Sequence, residues 1–211
     1  SQQRLEIMDN LLEWRKHQRK QLIVARETLS AALHQQWSDT ISDLLKQGFP
    51  ELQKMNIGIY WPFRGEYDPR PIAQYLRQHG ATLALPEVVG KDKPLCFREW
   101  WPGMPLKNGA YGIPAPIKAK AIRVDALIIP VVGFDQHGYR LGYGSGYFDR
   151  TLATYQPQPL TIGIAFEMQR LENVYAQPHD IALHYIVTEK GIFRTEDHEL
   201  KFISTSQCKD G

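Results

Sequence analysis

The residues with the most chemical potential lie between Gly138 and Arg150, in the string Gly-Tyr-Arg-Leu-Gly-Tyr-Gly-Ser-Gly-Tyr-Phe-Asp-Arg. Gly142, Gly144 and Gly146 alternate with Tyr143 and Ser145. That spacing lets the backbone take positive φ and approach a ligand with no Cβ in the way. The apolar run from Ala126 to Val132 comes first and reads as a buried strand. Tyr147-Phe148-Asp149-Arg150-Thr151-Leu152 reads as the start of a helix. A strand, a glycine loop and a helix start present backbone N–H groups and a positive dipole end to an anion. Arg140 and Arg150 add positive charge, and Asp149 supplies a carboxylate of the kind that holds hydrated magnesium. The pattern G-x-G-x-G is neither a Walker loop nor a dinucleotide fingerprint, so it predicts an anion site without naming the anion.

More cations lie near the N-terminus. From Gln3 to His34 there is no glycine or proline and helix formers abound, which predicts one long helix. Leu12, Arg15, Arg19, Leu22, Arg26, Leu29 and Leu33 follow steps of three and four and form a single stripe. Arginines on a leucine-bearing stripe need anions, unless their stems pack and their heads reach water. Lys16 and Lys20 fall on other faces and read as solvated.

The elements that would position these groups follow in order. Ser38 to Gln47 reads as a second helix, capped by Ser38 and stopped at Gly48. Asn56 to Trp61 is a predicted strand, Pro69 to His79 a helix with a proline-rich first turn, and Thr82 to Pro86 the next strand. Strand, helix and strand within about thirty residues make the βαβ unit of a parallel sheet. Ligands of such sheets collect beyond the carboxyl ends of the strands, where Trp61 to Asp68 lies. Cys96 to Trp100 alternates like an edge strand, and Gly109 to Pro116 reads as loop. Thr161 to Phe166 and His184 to Thr188 are further buried strands. The expected fold is α/β, a three-layer α/β/α arrangement with a Rossmann-like, mostly parallel sheet and a long N-terminal helix. Residues 1–195 are expected to form a single domain, and 196–211 a polar, flexible tail.

With 211 residues, 43% hydrophobic and 23% charged, the composition is that of an ordinary globular chain with room for a sizeable core. A formal charge of +2 gives no case for nucleic acid, and no apolar stretch reaches membrane-spanning length. Two cysteines, Cys96 and Cys208, do not make a disulfide framework, so the expectation is a reduced, cytoplasmic protein. His179 and His184 have a spacing that could suggest zinc, but no further ligands cluster with them.

The whole string from Arg140 to Arg150 closely resembles the signature of the 5-formyltetrahydrofolate cyclo-ligase family, also called methenyltetrahydrofolate synthetases. The resemblance runs in order through four motifs from Arg15 to Thr188. It implies ATP-driven, magnesium-dependent cyclisation of 5-formyltetrahydrofolate to 5,10-methenyltetrahydrofolate, through a phosphorylated formyl group. Arg15 and Arg19 match the basic pair that reaches the ATP phosphates, and Arg26 matches a further basic position. The nucleotide set it implies continues with Arg140, Leu141, Gly142, Tyr143, Gly144, Ser145, Gly146, Tyr147 and Phe148, of which Arg140 and Tyr147 would act in catalysis. Phe63, Glu66 and Asp68 match the folate side, which the loop from Tyr143 to Tyr147 also borders. A carboxylate at 66 or 68 would accept hydrogen bonds from the pterin; Asp68 also suits a helix cap. Trp100, Trp101 and Tyr111 are candidates for stacking or for core packing, and Asp149 and Asp180 for magnesium. This chain departs from relatives at Ala115 and His184, where acids are usual, and at Tyr143 and Ser145, where some are basic. The last two departures predict weaker nucleotide affinity. The implied partners are folate and ATP, with neither nucleic acid nor membrane, on a monomer or homodimer. A non-catalytic nucleotide or RNA binder is the alternative. A nicotinamide-dependent oxidoreductase is disfavoured because the first βαβ unit lacks G-x-G-x-x-G.

Overall fold

The structure, a computed structural model, describes residues 1–210, the side chains of residues 209 and 210 excepted. Three helices open the chain: α1 (Gln2–Asp9), α2 (Leu11–Glu27) and α3 (Ala31–Gly48). Then come β1 (Asn56–Gly58), α4 (Arg70–Gln78), β2 (Thr82–Val88), β3 (Leu95–Trp100), β4 (Leu106–Asn108) and β5 (Pro114–Pro116). The second half holds β6 (Ala126–Pro130), β7 (Gly133–Phe134), β8 (Arg140–Leu141), α5 (Tyr147–Ala153), β9 (Leu160–Ile164), β10 (Tyr185–Thr188), β11 (Gly191–Glu196) and β12 (Glu199–Ile203).

Eight strands form one sheet in the order β12-β11-β10-β9-β6-β1-β2-β3. Its centre, β10 through β2, is parallel, while β3, β11 and β12 are antiparallel additions at the two edges. β6 lies in the middle, and its residues alternate between two apolar layers. Ile128 packs with α3 and α4, through Ile41, Leu45, Ile72 and Leu76, whereas Leu127 and Ile129 pack with Leu152 of α5. This is the expected α/β/α arrangement, and the α5 side is the thinner layer. No helix among the described residues is long and apolar enough to cross a membrane.

The single N-terminal helix is corrected to three. Asn10 leaves helical geometry at φ −135° and ψ 47°, and α2 closes at Thr28. Ser30, in extended geometry, accepts a hydrogen bond from Leu33 N–H and starts α3. Ser38, expected as a cap, is instead buried on the inner face of α3 with Ile41, Leu45 and Gly48. Helix propensity is high on both sides of the break, so a local cap decided what composition could not. The flexible tail is also corrected: β12 pairs with β11 over five residues, and Ile203 and Cys208 are buried. An edge strand wets one face, which explains its polar sequence.

β7 and β8 form a short hairpin whose turn is built on Asp135, 1% exposed. Its Oδ1 accepts N–H bonds from His137 and Tyr139, and its Oδ2 accepts one from Val174. This buried carboxylate aims β8, and the glycine loop after it, back across the sheet.

Candidate active site

A cavity of about 860 Å³ opens at the carboxyl ends of the parallel strands. The segment after β1, the end of β2 and Pro130 of β6 form its floor, as expected for this sheet type. α2, the glycine loop, the β4–β5 hairpin and residues 179 and 180 supply the walls.

α2 turns two of its arginines into the cavity. Arg15 Nη2 donates to the carbonyls of Val174 and Tyr175 at 3.2 and 2.8 Å and lies 3.5 Å from Asp180. Arg19 Nε donates to Gly142 O at 2.8 Å, joining α2 to the glycine loop. Among the described residues, neither terminal nitrogen of Arg19 has a hydrogen-bond acceptor. Burial, then the like charge of Arg15, pulls the Arg19 guanidinium pKa below its usual value. Such a cation is ready for an incoming anion. Arg26 has another place: it is 2% exposed, outside the cavity lining, and donates to Arg64 O at 2.9 Å and to Tyr143 Oη at 2.7 Å.

The glycine loop crosses above Arg19. Gly144 sits at φ +102°, and a Cβ there would meet the Arg19 guanidinium at 3.3 Å, so glycine serves both conformation and close approach. Backbone N–H groups from Gly142 to Gly146 donate to no backbone or side-chain acceptor among the described residues. Arg150 Nη2 braces the loop through Ser145 O at 2.6 Å. At the mouth, Tyr147 meets Tyr111 of the β4–β5 hairpin, with 3.4 Å between hydroxyls. Leu141 and Phe148 line the same wall, with the Arg140 guanidinium 6.0 Å from the Phe148 ring centre.

Asp149 and Asp180 also line the cavity. Asp149 Oδ1 accepts from Arg140 Nη1 at 3.2 Å and from Ile181 N–H at 3.3 Å, which ties it to the segment carrying Asp180. Asp180 Oδ2 accepts Gln177 N–H at 2.8 Å. Among the described residues no group of three or more His, Cys, Asp or Glu is arranged to hold a metal. Two carboxylates fit magnesium nonetheless, because that ion keeps several waters and shares its remaining positions with phosphate oxygens. Zinc on His179 and His184 does not fit: His184 Nδ1 accepts the Thr161 N–H at 3.1 Å, and His179 lines the cavity while His184 does not.

Glu66 forms the opposite wall and is 6% exposed. Its Oε1 accepts Phe63 N–H at 2.8 Å, and its Oε2 accepts the Tyr143 hydroxyl at 2.9 Å. His34 Nε2 holds the carbonyls of Gly65 and Glu66 at 3.0 and 3.1 Å. Burial pushes the Glu66 carboxyl up to about 7, although Arg26 and these donors pull it down. Phe63 lines the cavity and packs edge-on to Tyr143, 5.9 Å between ring centres.

Asp68 is corrected. It does not line the cavity; Arg70 occupies both carboxylate oxygens, through N–H and Nε at Oδ1 and Nη2 at Oδ2. Burial alone would raise its pKa, but the Arg70 bonds bring it below the usual value. Pro69 is the N-cap of α4, with no side-chain cap bond, and Asp68 precedes it as a turn residue bound to the Arg70 N–H. Of the three aromatics weighed for stacking, Tyr111 lines the cavity while Trp100 and Trp101 do not. Trp61, in the segment placed at a strand end, lines it too, whereas sequence reasoning missed Glu87 and Lys107, which also do. Glu87 could have been found as the neighbour of a strand carboxyl end; Lys107, on the hairpin, had no such signal.

The family model for the 5-formyltetrahydrofolate cyclo-ligase family matches residues 12–189. This chain belongs to that family. A cyclo-ligase of Haemophilus influenzae is 29% identical over 169 residues, covering 77% of this chain and 90% of the relative. The one from Escherichia coli K12 is 30% identical over 153 residues, covering 68% and 83%. Among solved structures, 5,10-methenyltetrahydrofolate synthetase of Aquifex aeolicus superposes with TM-score 0.75 at 31% identity, over 87% of this chain and 93% of that one. The Mycoplasma pneumoniae synthetase gives 0.69 at 25%, over 83% and 98%. The cyclo-ligase family match spans α2 through β10, so both arginines of α2, the Glu66 wall and the glycine loop fall within it.

Proposed function

We propose that this member of the cyclo-ligase family converts 5-formyltetrahydrofolate and ATP into 5,10-methenyltetrahydrofolate, ADP and phosphate. The observation that carries the reading is the meeting of Arg19 with the glycine loop, 2.8 Å from Nε to Gly142 O, in one cavity with the buried carboxylate of Glu66. The first group suits a polyphosphate, the second an amino-pyrimidine edge with neighbouring N–H donors.

The formyl oxygen attacks the γ-phosphorus while the bond to ADP breaks, leaving an iminium phosphate. N10 then attacks the formyl carbon and loses its proton, and phosphate departs with its bonding electrons. Placement and charge neutralisation carry this chemistry, so no protein nucleophile is required. Arg15 and Arg19 hold the triphosphate with the free loop amides. Arg140 and Tyr147 flank the transferred phosphoryl group. Glu66 fixes the pterin, with Phe63 against it. Asp149 and Asp180 would hold magnesium, which when bound neutralises phosphate charge.

The test is the absorbance of methenyltetrahydrofolate on mixing the chain with folinic acid, magnesium and ATP. Growth of that absorbance with one ADP released per product supports the reading. No signal, with nucleotide still bound, would favour a non-catalytic binder.

A further inference from the structure

Tyr143 stands between two buried charges that do not touch. Arg26 and Glu66 are 2% and 6% exposed, and no ion pair joins them among the described residues. The Tyr143 hydroxyl fills the gap, accepting from Arg26 Nη2 at 2.7 Å and donating to Glu66 Oε2 at 2.9 Å. With Glu66 ionised its direction is fixed, because a guanidinium can only donate and a carboxylate only accept. Yet Tyr143 belongs to neither wall. It belongs to the glycine loop, between Gly142, which accepts from Arg19, and Gly144 at φ +102°.

We propose that Tyr143 is a positioning residue that makes nucleotide and folate binding cooperative. Its hydroxyl is the hydrogen-bonded link, among the described residues, between the glycine loop and the carboxylate on the opposite wall. A polyphosphate that settles the loop onto Arg19 also sets the Tyr143 hydroxyl against Glu66 and fixes the carboxylate. A loop that swings away leaves Arg26 Nη2 without an acceptor and Glu66 Oε2 without a donor, both in buried side chains. Folate affinity therefore rises when nucleotide is bound, and by linkage nucleotide affinity rises equally when folate is bound. This inference rests on the folate and nucleotide assignments made under Proposed function.

Calorimetry on the full chain tests it. The dissociation constant of 5-formyltetrahydrofolate is measured with and without saturating magnesium and a non-hydrolysable ATP analogue. The wild type is expected to bind folate about 10-fold more tightly with nucleotide, within the range usual for coupled sites. Tyr143→Phe keeps the ring against Phe63 and should bring the ratio to within about twofold of unity. Glu66→Ala removes the acceptor from the other wall and should also lower the ratio. A wild-type ratio of one, or a ratio that both variants retain, overturns the inference and leaves the proposed reaction standing. A wild type that binds no folate removes the reaction and this inference together.

Discussion

The two walls of the cavity are built on opposite plans. On the Glu66 side nearly every polar group has a partner: both carboxylate oxygens, the carbonyls of Gly65 and Glu66, and the buried Arg26 are hydrogen-bonded. On the glycine-loop side the donors stand open, with the amides from Gly142 to Gly146 and the terminal nitrogens of Arg19 unpartnered among the described residues. A finished wall discriminates, since a ligand must match what is already fixed. A wall of open donors attracts, and it suits a ligand whose charge exceeds anything the protein supplies.

Removing a donor from the open wall should give the largest effect. Arg19→Ala is expected to raise the KM for ATP about 100-fold, the order of ~1.5–3 kcal/mol of charge-assisted hydrogen bonding, and the KM for folate far less. Equal effects in steady-state kinetics would erase the division between the walls.

The finished wall responds to pH. Burial raises the Glu66 carboxyl to about 7 in the folded chain against a usual 4.5, with Tyr143 and the Phe63 N–H on its oxygens, Arg26 beyond Tyr143 and His34 on its backbone. Because the folded value is raised, the unfolded chain gives up this proton first. The contribution of Glu66 to stability is whole below about 4.5 and is lost as pH rises to about 7. Glu66→Gln is therefore expected to raise the KM for folate about 10-fold, to flatten its pH dependence between those values, and to raise the urea midpoint at pH 8 relative to pH 5. A midpoint gain that is the same at both pH values would show that Glu66 titrates normally.

Outside both walls the effect should be smallest. Ser30→Ala removes the cap of α3 and should cost about 1 kcal/mol, or ~2–4 °C in melting temperature, with neither KM changed. A change in either KM would extend the site into the helix junction.

The sequence made the open wall legible and the finished one only in part. Alternate glycines, and arginines at steps of three and four, are local patterns with a direct physical meaning. Asp68 misled because a carboxylate before a helix can face a ligand or bind its own chain neighbours, and only the placement of Arg70 separates the two. Tyr143 reaches Glu66 across 77 positions and Arg26 across 117, contacts that no local pattern encodes. The break at Ser30 and the strand Glu199–Ile203 were lost to weak signals, a lone cap among helix formers and an edge strand with a wet face.

Buried apolar side chains begin only at Ile23. The earlier turns of α2 carry Arg15 and Arg19, and those side chains join them to the loops around the cavity by hydrogen bonds to carbonyls and a contact with Asp180. The terminal nitrogens of Arg19 stay open beside these bonds among the described residues. Half of this helix is thus moored by the same guanidinium groups that face the cavity, so a change at either arginine loosens the helix as well as the wall.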